Sequence, residues 1–258
     1  MSSKLAVLFK NKSNASSHKP QDKKPLKVSA ISSEVAEILL YGEIGESWWD
    51  DTAVSAKQFK DAVKELSSKV TEIHLRVNSP GGSVFDGMTI YETIRSERNN
   101  GRKVIAYVDG YAASIASIII QACDEIIIGD GGMVMIHKPL VGVWGNANEL
   151  ERYINILDKI EENMITIYQK KTGMSRIEIS EALEKETWYT SEEAIEVGLA
   201  DKKFDFQDTI QLVASINDCP WFKNKPQVQN KNDLVRDRLR EITNKNKKLL
   251  AEMKSTKF

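Results

Sequence analysis

Two short runs carry the residues able to do covalent chemistry. They are Asp109-Gly110-Tyr111-Ala112-Ala113-Ser114-Ile115-Ala116-Ser117 and Met133-Val134-Met135-Ile136-His137-Lys138-Pro139. The apolar, β-prone stretch Val104 to Val108 enters a Gly turn, and a small-residue helix leaves it. Ser114 is therefore expected in the first helical turn, its hydroxyl at a strand-to-helix corner. Free backbone N–H groups at a helix start, and the helix dipole, stabilise negative charge at such a corner. A serine hydroxyl is too weakly acidic to attack an amide unaided, so the site needs a base. The chain has 3 histidines. His18 lies in a polar leader, His74 belongs to an alternating strand, and His137 closes the second run. Taken alone, Ser114 reads as an N-cap or small packing residue, and His137 as a satisfied histidine at a strand end.

Upstream, the alternating strand Glu72 to Val77 runs into Asn78-Ser79-Pro80-Gly81-Gly82-Ser83 and then a helix. Paired glycines let a backbone approach a ligand closely, although Ser-Pro-Gly-Gly is also an ordinary turn sequence. Together these segments resemble the Clp protease proteolytic subunit, ClpP, a self-compartmentalising serine peptidase with a crotonase-like fold. The resemblance covers roughly Ile38 to Lys202. It rests on the Asn-Ser-Pro-Gly-Gly turn, the Gly-x-Ala-Ala-Ser and Met-Ile-His-x-Pro runs, Lys171-Thr172-Gly173-Met174-Ser175, and Ser191 through Gly198-Leu199-Ala200-Asp201.

The resemblance implies Ser114 as nucleophile, His137 as base, the Gly82 and Ile115 amides as oxyanion hole, and an extended substrate beside Gly81 and Gly82. Counting back from Gly198, the family's aspartate position falls on Glu186, in Lys185-Glu186-Thr187-Trp188. A glutamate can hold the imidazole in its productive tautomer, as Ser-His-Glu hydrolases do, but its extra methylene moves the carboxylate. An acid in a charged loop is otherwise simply solvated. The implied chemistry needs no metal or organic cofactor.

Composition sets the frame around these residues. With 258 residues, 41% of them hydrophobic, the chain holds enough apolar material for one large core. A formal net charge of −1 points to neither a nucleic acid nor a membrane partner. The apolar stretches near Ala112 to Cys123 and Ile126 to Ile128 are too short to cross a bilayer, and Leu5 to Phe9 is shorter than a signal-peptide core, so a cytoplasmic protein is expected. Cys123 and Cys219 make neither a disulfide framework nor a metal-ligand spacing, and Cys123 reads as a packing residue.

Three regions follow: a basic leader at 1–31, a peptidase domain at 32–217 and a basic helical or disordered extension at 218–258. The fold class expected for the domain is α/β, a ClpP/crotonase-like stack of parallel βαβ units with a protruding handle helix. Strands are predicted at Lys27 to Ile31, Ala36 to Tyr41, Glu72 to Val77 and Lys103 to Val108. Helices are predicted at Ser55 to Leu66, Phe85 to Glu97, Asn148 to Lys171, Ser175 to Glu184 and Ser191 to Val197, the last two with serine N-caps. The Asn148 to Lys171 helix is apolar over a wide arc, which predicts packing on more than one side, with Ile160 and Met164 as subunit contacts. By resemblance it is the handle between two stacked heptameric rings. Trp48-Trp49 reads as a core edge or subunit contact, and His74 as part of a polar or interface face.

The resemblance raises an AAA+ unfoldase as partner. The leader and the region before Ser55 do not match the family's axial-loop and docking segments, and that partner stays open. The extension at 218–258 resembles phage-type ClpP-like enzymes, head maturation proteases that cut scaffold polypeptide. Two other classes share parts of the pattern. A crotonase-family acyl-CoA enzyme has the fold and the oxyanion hole without needing a Ser-His pair, and an inactive ClpP-like shell or scaffold protein keeps the rings without the triad.

Overall fold

Apolar residues at every second position decide which way the central strands face. The computed structural model describes residues 26–46 and 52–204. In it, β1 (Val28–Ala30) lies antiparallel to β2 (Val35–Tyr41), which runs parallel to β3 (Glu72–Ser79), itself parallel to β4 (Lys103–Ala113). Ala36, Ile38 and Leu40, then Ile73, Leu75 and Val77, then Val104, Ala106 and Val108 all point into the core. That core closes under α1 (Ala56–Lys64), α2 (Val84–Asn99) and α3 (Ile115–Ile120). β5 (Glu125–Gly129) and β8 (Lys202–Phe204) continue the sheet in parallel on the far side, giving the order β1-β2-β3-β4-β5-β8. The expected parallel βαβ stack is what forms.

β4 is longer than the sequence suggests. A Gly turn is expected after Val108, yet the strand passes through Asp109 and Gly110 to Ala113. A register shift absorbs the irregularity: Val77 faces Val108, but Ser79 faces Ala112. On the face away from the core, the Asp109 carboxylate is gripped by Arg76 Nε at 2.8 Å, by Arg76 Nη2, and by the Tyr41 hydroxyl at 2.6 Å. Burial pushes the Asp109 carboxyl above its ordinary pKa, against the Tyr41 and Arg76 hydrogen bonds, and the pairing ties β2, β3 and β4 together.

The extra length lets β4 serve two partners on one edge. Ile105 to Val108 pair with β5, and Tyr111 to Ala113 pair with β6 (Met133–Ile136), which returns antiparallel to β7 (Thr187–Thr190). α3 begins directly after β4. All of its residues are buried, as a helix apolar on every side must be.

The remaining helices differ from expectation in instructive ways. α4 (Ala147–Gln169) opens with a capping box between Asn146 and Glu149, and α5 (Arg176–Glu184) with the box between Ser175 and Glu178 that the spacing predicts. α6 (Ser191–Glu196) is capped by Thr190 and not by Ser191, whose hydroxyl donates to the Asp130 carbonyl instead. The apolar residues of α4 have different surroundings at different heights along the helix. Met164, Ile165, Ile167 and Tyr168 are buried in the chain's own core, whereas Leu150, Ile154 and Ile156 are exposed. Met164, expected at a subunit contact, is buried in the chain's own core, and Ile160 is half-buried against the same core. Among the described residues no helix is long and apolar enough to cross a membrane. The leader up to residue 25, Trp48-Trp49, Cys219 and the extension at 218–258 lie outside the described residues.

α2 and α3 meet at a glycine. A Cβ on Gly87 would fall 2.2 Å from Ile115 Cγ1, inside any tolerable contact. Gly87→Ala gains helix propensity, yet overpacking is expected to dominate and destabilise the fold by about 1–3 kcal/mol. Urea unfolding tests this. A midpoint equal to or above that of the native chain would mean that the two helices do not pack in this register.

Candidate active site

Ser114 stands where β4 ends and α3 begins. It occupies the N-cap position, where serine ordinarily bonds a first-turn amide, but its side chain makes no capping bond. The hydroxyl lies instead 2.7 Å from His137 Nε2. That separates the two readings of Ser114: the side chain is committed to the imidazole and not to the helix. The backbone is unusual as well, with φ 55° and ψ −128°, a conformation costly for a residue with a Cβ. It is held from both sides, because the Ser114 N–H donates to the Met135 carbonyl at 3.0 Å and its own carbonyl accepts from the Ser117 N–H at 3.0 Å.

His137 follows β6 immediately. Since Ala113 pairs with Met135, the imidazole two residues beyond arrives beside Ser114, and its residue is only 7% exposed. The β6–β7 ladder then brings in the acid. It pairs Met133 with Thr190, Val134 with Tyr189, Met135 with Trp188 and Ile136 with Thr187; His137 follows the last residue of β6, and Glu186 precedes the first of β7. The Leu183 carbonyl clamps both segments, accepting from the Lys138 N–H at 3.1 Å and from the Glu186 N–H at 3.3 Å.

Glu186 is buried, which the reading of a solvated loop acid does not anticipate. It also has φ 50°, ending α5 in the left-handed conformation where glycine usually stands. Among the described residues, Ser114 and Glu186 are the two non-glycine residues with positive φ. Strain of this kind gathers where geometry is held for function.

The Gly81-Gly82 turn packs onto the serine. A Cβ on Gly81 (φ 88°) would lie 2.7 Å from both Ser114 Cβ and the Ala113 carbonyl oxygen, and one on Gly82 (φ 144°) would lie 2.2 Å from the Ile44 carbonyl oxygen. Only glycine fits this approach. The amides flanking Gly82 are used within the turn, Gly81 N–H by Ser79 Oγ at 3.1 Å and Ser83 N–H by the Ile44 carbonyl at 2.8 Å. The Ile115 N–H opens α3 and, like every first-turn amide, has no acceptor within its helix.

Other sequence candidates settle elsewhere. Ser117, the other serine of the first run, is fully buried behind Ser114 and hydrogen-bonded, so it is closed to a substrate. His74 Nε2 lies 2.7 Å from Glu72 Oε1 and its ring contacts Tyr107, on the outer face of the sheet. Burial pushes the Cys123 thiol up to about 12, as befits a packing residue. What sequence reasoning missed is Tyr168, one more member of the apolar stripe of α4, whose hydroxyl lies 2.7 Å from Ser117 Oγ.

The Clp protease family model matches residues 23–205. Among solved structures, a ClpP1 point mutant from Listeria monocytogenes is similar at 24% identity, covering 66% of this chain and 92% of that chain with a TM-score of 0.55. A likeness at that identity bears on the fold.

The strain at Glu186 can be measured directly. At ordinary positions alanine is more stabilising than glycine, but in the left-handed region the order reverses. Glu186→Gly is therefore expected to be more stable than Glu186→Ala by about 1 kcal/mol. Paired denaturant titrations give the difference, and an alanine variant as stable as the glycine one would remove the strain argument.

Proposed function

We propose, for a chain that belongs to the Clp protease family, that it hydrolyses peptide bonds as a serine endopeptidase with Ser114, His137 and Glu186 as its triad. The carrying observation is the 2.7 Å separation of Ser114 Oγ and His137 Nε2 at a serine that leaves its helix uncapped. A crotonase-type acyl-CoA enzyme has no use for that pair, and an inactive shell protein has no reason to keep it or the strained backbone beneath it.

Ser114 Oγ attacks the scissile carbonyl as His137 Nε2 takes its proton. The Glu186 carboxylate holds the Nδ1 side of the ring, fixing the tautomer and stabilising the imidazolium. The Gly82 and Ile115 amides receive the tetrahedral oxyanion, each donor contributing about 3 kcal/mol of transition-state stabilisation. His137 then gives its proton to the leaving amine. In the second half-reaction it activates a water that hydrolyses the acyl-enzyme. The substrate lies extended beside Gly81 and Gly82, its main chain pairing with the turn.

The surface of α4 supports compartmentation. Leu150, Tyr153, Ile154 and Leu157 form an i, i+3, i+4, i+7 stripe at the end of α4 away from the core. Leu150 and Ile154 are exposed, and Trp144, just before the helix, is 94% exposed. Such a stripe needs a partner, and a second copy of the chain in a ring-shaped homo-oligomer, most simply two stacked heptamers, supplies one. The substrate is then an unfolded or scaffold polypeptide admitted to the chamber, and the extension at 218–258 supports the head maturation reading.

Ser114→Ala should abolish cleavage of casein and fluorogenic peptides while leaving the assembly intact. Glu186→Gln should lower turnover by about 10²–10⁴-fold, as the wrong tautomer does in related triads. Undiminished cleavage by the alanine variant would end the assignment of Ser114, and an unchanged rate for the glutamine variant would end that of Glu186.

Assembly is tested at the exposed end of α4. Leu150→Glu with Ile154→Glu should split the particle into smaller species and reduce cleavage while leaving the monomer folded, because both side chains are already in water within one chain. Analytical ultracentrifugation reads the result. A wild-type protein that sediments as a fully active monomer would overturn the chamber.

A further inference from the structure

Behind the candidate nucleophile lies a pair of hydroxyls that the hydrolytic mechanism does not use. Ser117 Oγ is 2.5 Å from the Ser114 carbonyl oxygen, and the Tyr168 hydroxyl is 2.7 Å from Ser117 Oγ. Both residues are fully buried. A carbonyl only accepts, so the single Ser117 proton goes to Ser114, and Ser117 Oγ must take its own hydrogen bond from the Tyr168 phenol. The order is fixed: Tyr168 donates to Ser117, which donates to the Ser114 carbonyl. Burial raises the Tyr168 phenol well above its ordinary pKa, so it stays a donor at any working pH.

The acceptor at the end of this chain is half of the peptide unit that joins Ser114 to Ile115. A peptide is planar and trans, so its C=O and N–H point in opposite directions. Fixing the Ser114 carbonyl therefore fixes where the Ile115 N–H aims, and that amide is the proposed oxyanion donor. Hydrogen bonding to the carbonyl also polarises the unit and strengthens its N–H as a donor. The same carbonyl accepts from the Ser117 N–H at 3.0 Å, so the hydroxyl adds a second donor that holds the peptide behind a strained serine.

Resting on the reading of Ser114 as nucleophile, we propose that Ser117 and Tyr168 are positioning residues that aim the Ile115 amide at the oxyanion, so that the buried end of α4 sets the reactivity of Ser114. α4 thereby has a catalytic consequence at one end and an assembly surface at the other.

The test uses the full chain with Ser117→Ala, Tyr168→Phe and the double variant. Ser117→Ala leaves the Tyr168 hydroxyl buried without its acceptor and should lower stability. Adding Tyr168→Phe removes the orphan and should restore much of that stability. Catalysis should not follow. In the double variant kcat is expected to stay roughly ten- to hundredfold down with KM unchanged, short of the 10²–10³ lost when a donor is deleted outright. Affinity for a peptide boronate, whose adduct presents the oxyanion, should fall in parallel with kcat. Fluorophosphonate labelling of the wild-type protein, absent in Ser114→Ala, secures the underlying reading separately. If the wild type is labelled and the double variant matches its kcat and boronate affinity, the positioning role is overturned. If the wild type is not labelled at Ser114, the nucleophile assignment fails before the positioning role is reached.

Discussion

The pairing of the last residues of β4 with β6 is the contact on which everything at the site depends. Ala113 against Met135, followed by the Ser114 N–H on the Met135 carbonyl, fixes the spacing between the serine and the histidine two residues past that carbonyl. The β6–β7 ladder hangs on the same strand and carries the acid. Three residues far apart in sequence are thus placed by one run of main-chain hydrogen bonds in a sheet, which is stiffer than any loop. β4 reaches that far only because it does not turn at Gly110.

Strain is the counterpart of that stiffness. Ser114 and Glu186 each hold a backbone conformation that a residue with a Cβ adopts at a cost on the order of 1–2 kcal/mol. Glycine at either position would relieve it. Glycine at Ser114 would bring no hydroxyl and at Glu186 no carboxylate, the two groups that the proposed triad uses. The surrounding bonds, from Met135 and Ser117 at one residue and Leu183 at the other, keep the backbone from relaxing.

α4 shows how one amphipathic pattern can carry two roles. Its C-terminal third supplies Met164, Ile165 and Tyr168 to the core, and its earlier turns carry apolar side chains into solvent. Periodicity reports only that one face is apolar; it does not distinguish a face that is wide from one that changes partner along the axis. That is why Ile160 and Met164 read from sequence as subunit contacts, whereas within the chain Met164 is buried in the core and Ile160 is half-buried against it.

Much of the fold was legible in the chain itself. Alternating strands, their order with the helices, the Ser175 and Glu178 box and the Gly81-Gly82 approach are local patterns, and local patterns survive translation into structure. Ser114 and His137 stood out because each lies in a run whose residue types make sense together. Other features were not legible: the burial of Glu186, the passage of β4 through Gly110, the Asp109 clasp and the Tyr168–Ser117 pair. Each depends on which residues meet across strands and helices that are distant in sequence. The sequence determined which side chains could do the chemistry and the elements that carry them. Tertiary structure alone decided their distances, their burial and the backbone conformations that hold them, because strand register and helix contact are set by the whole core and not by any one segment of it.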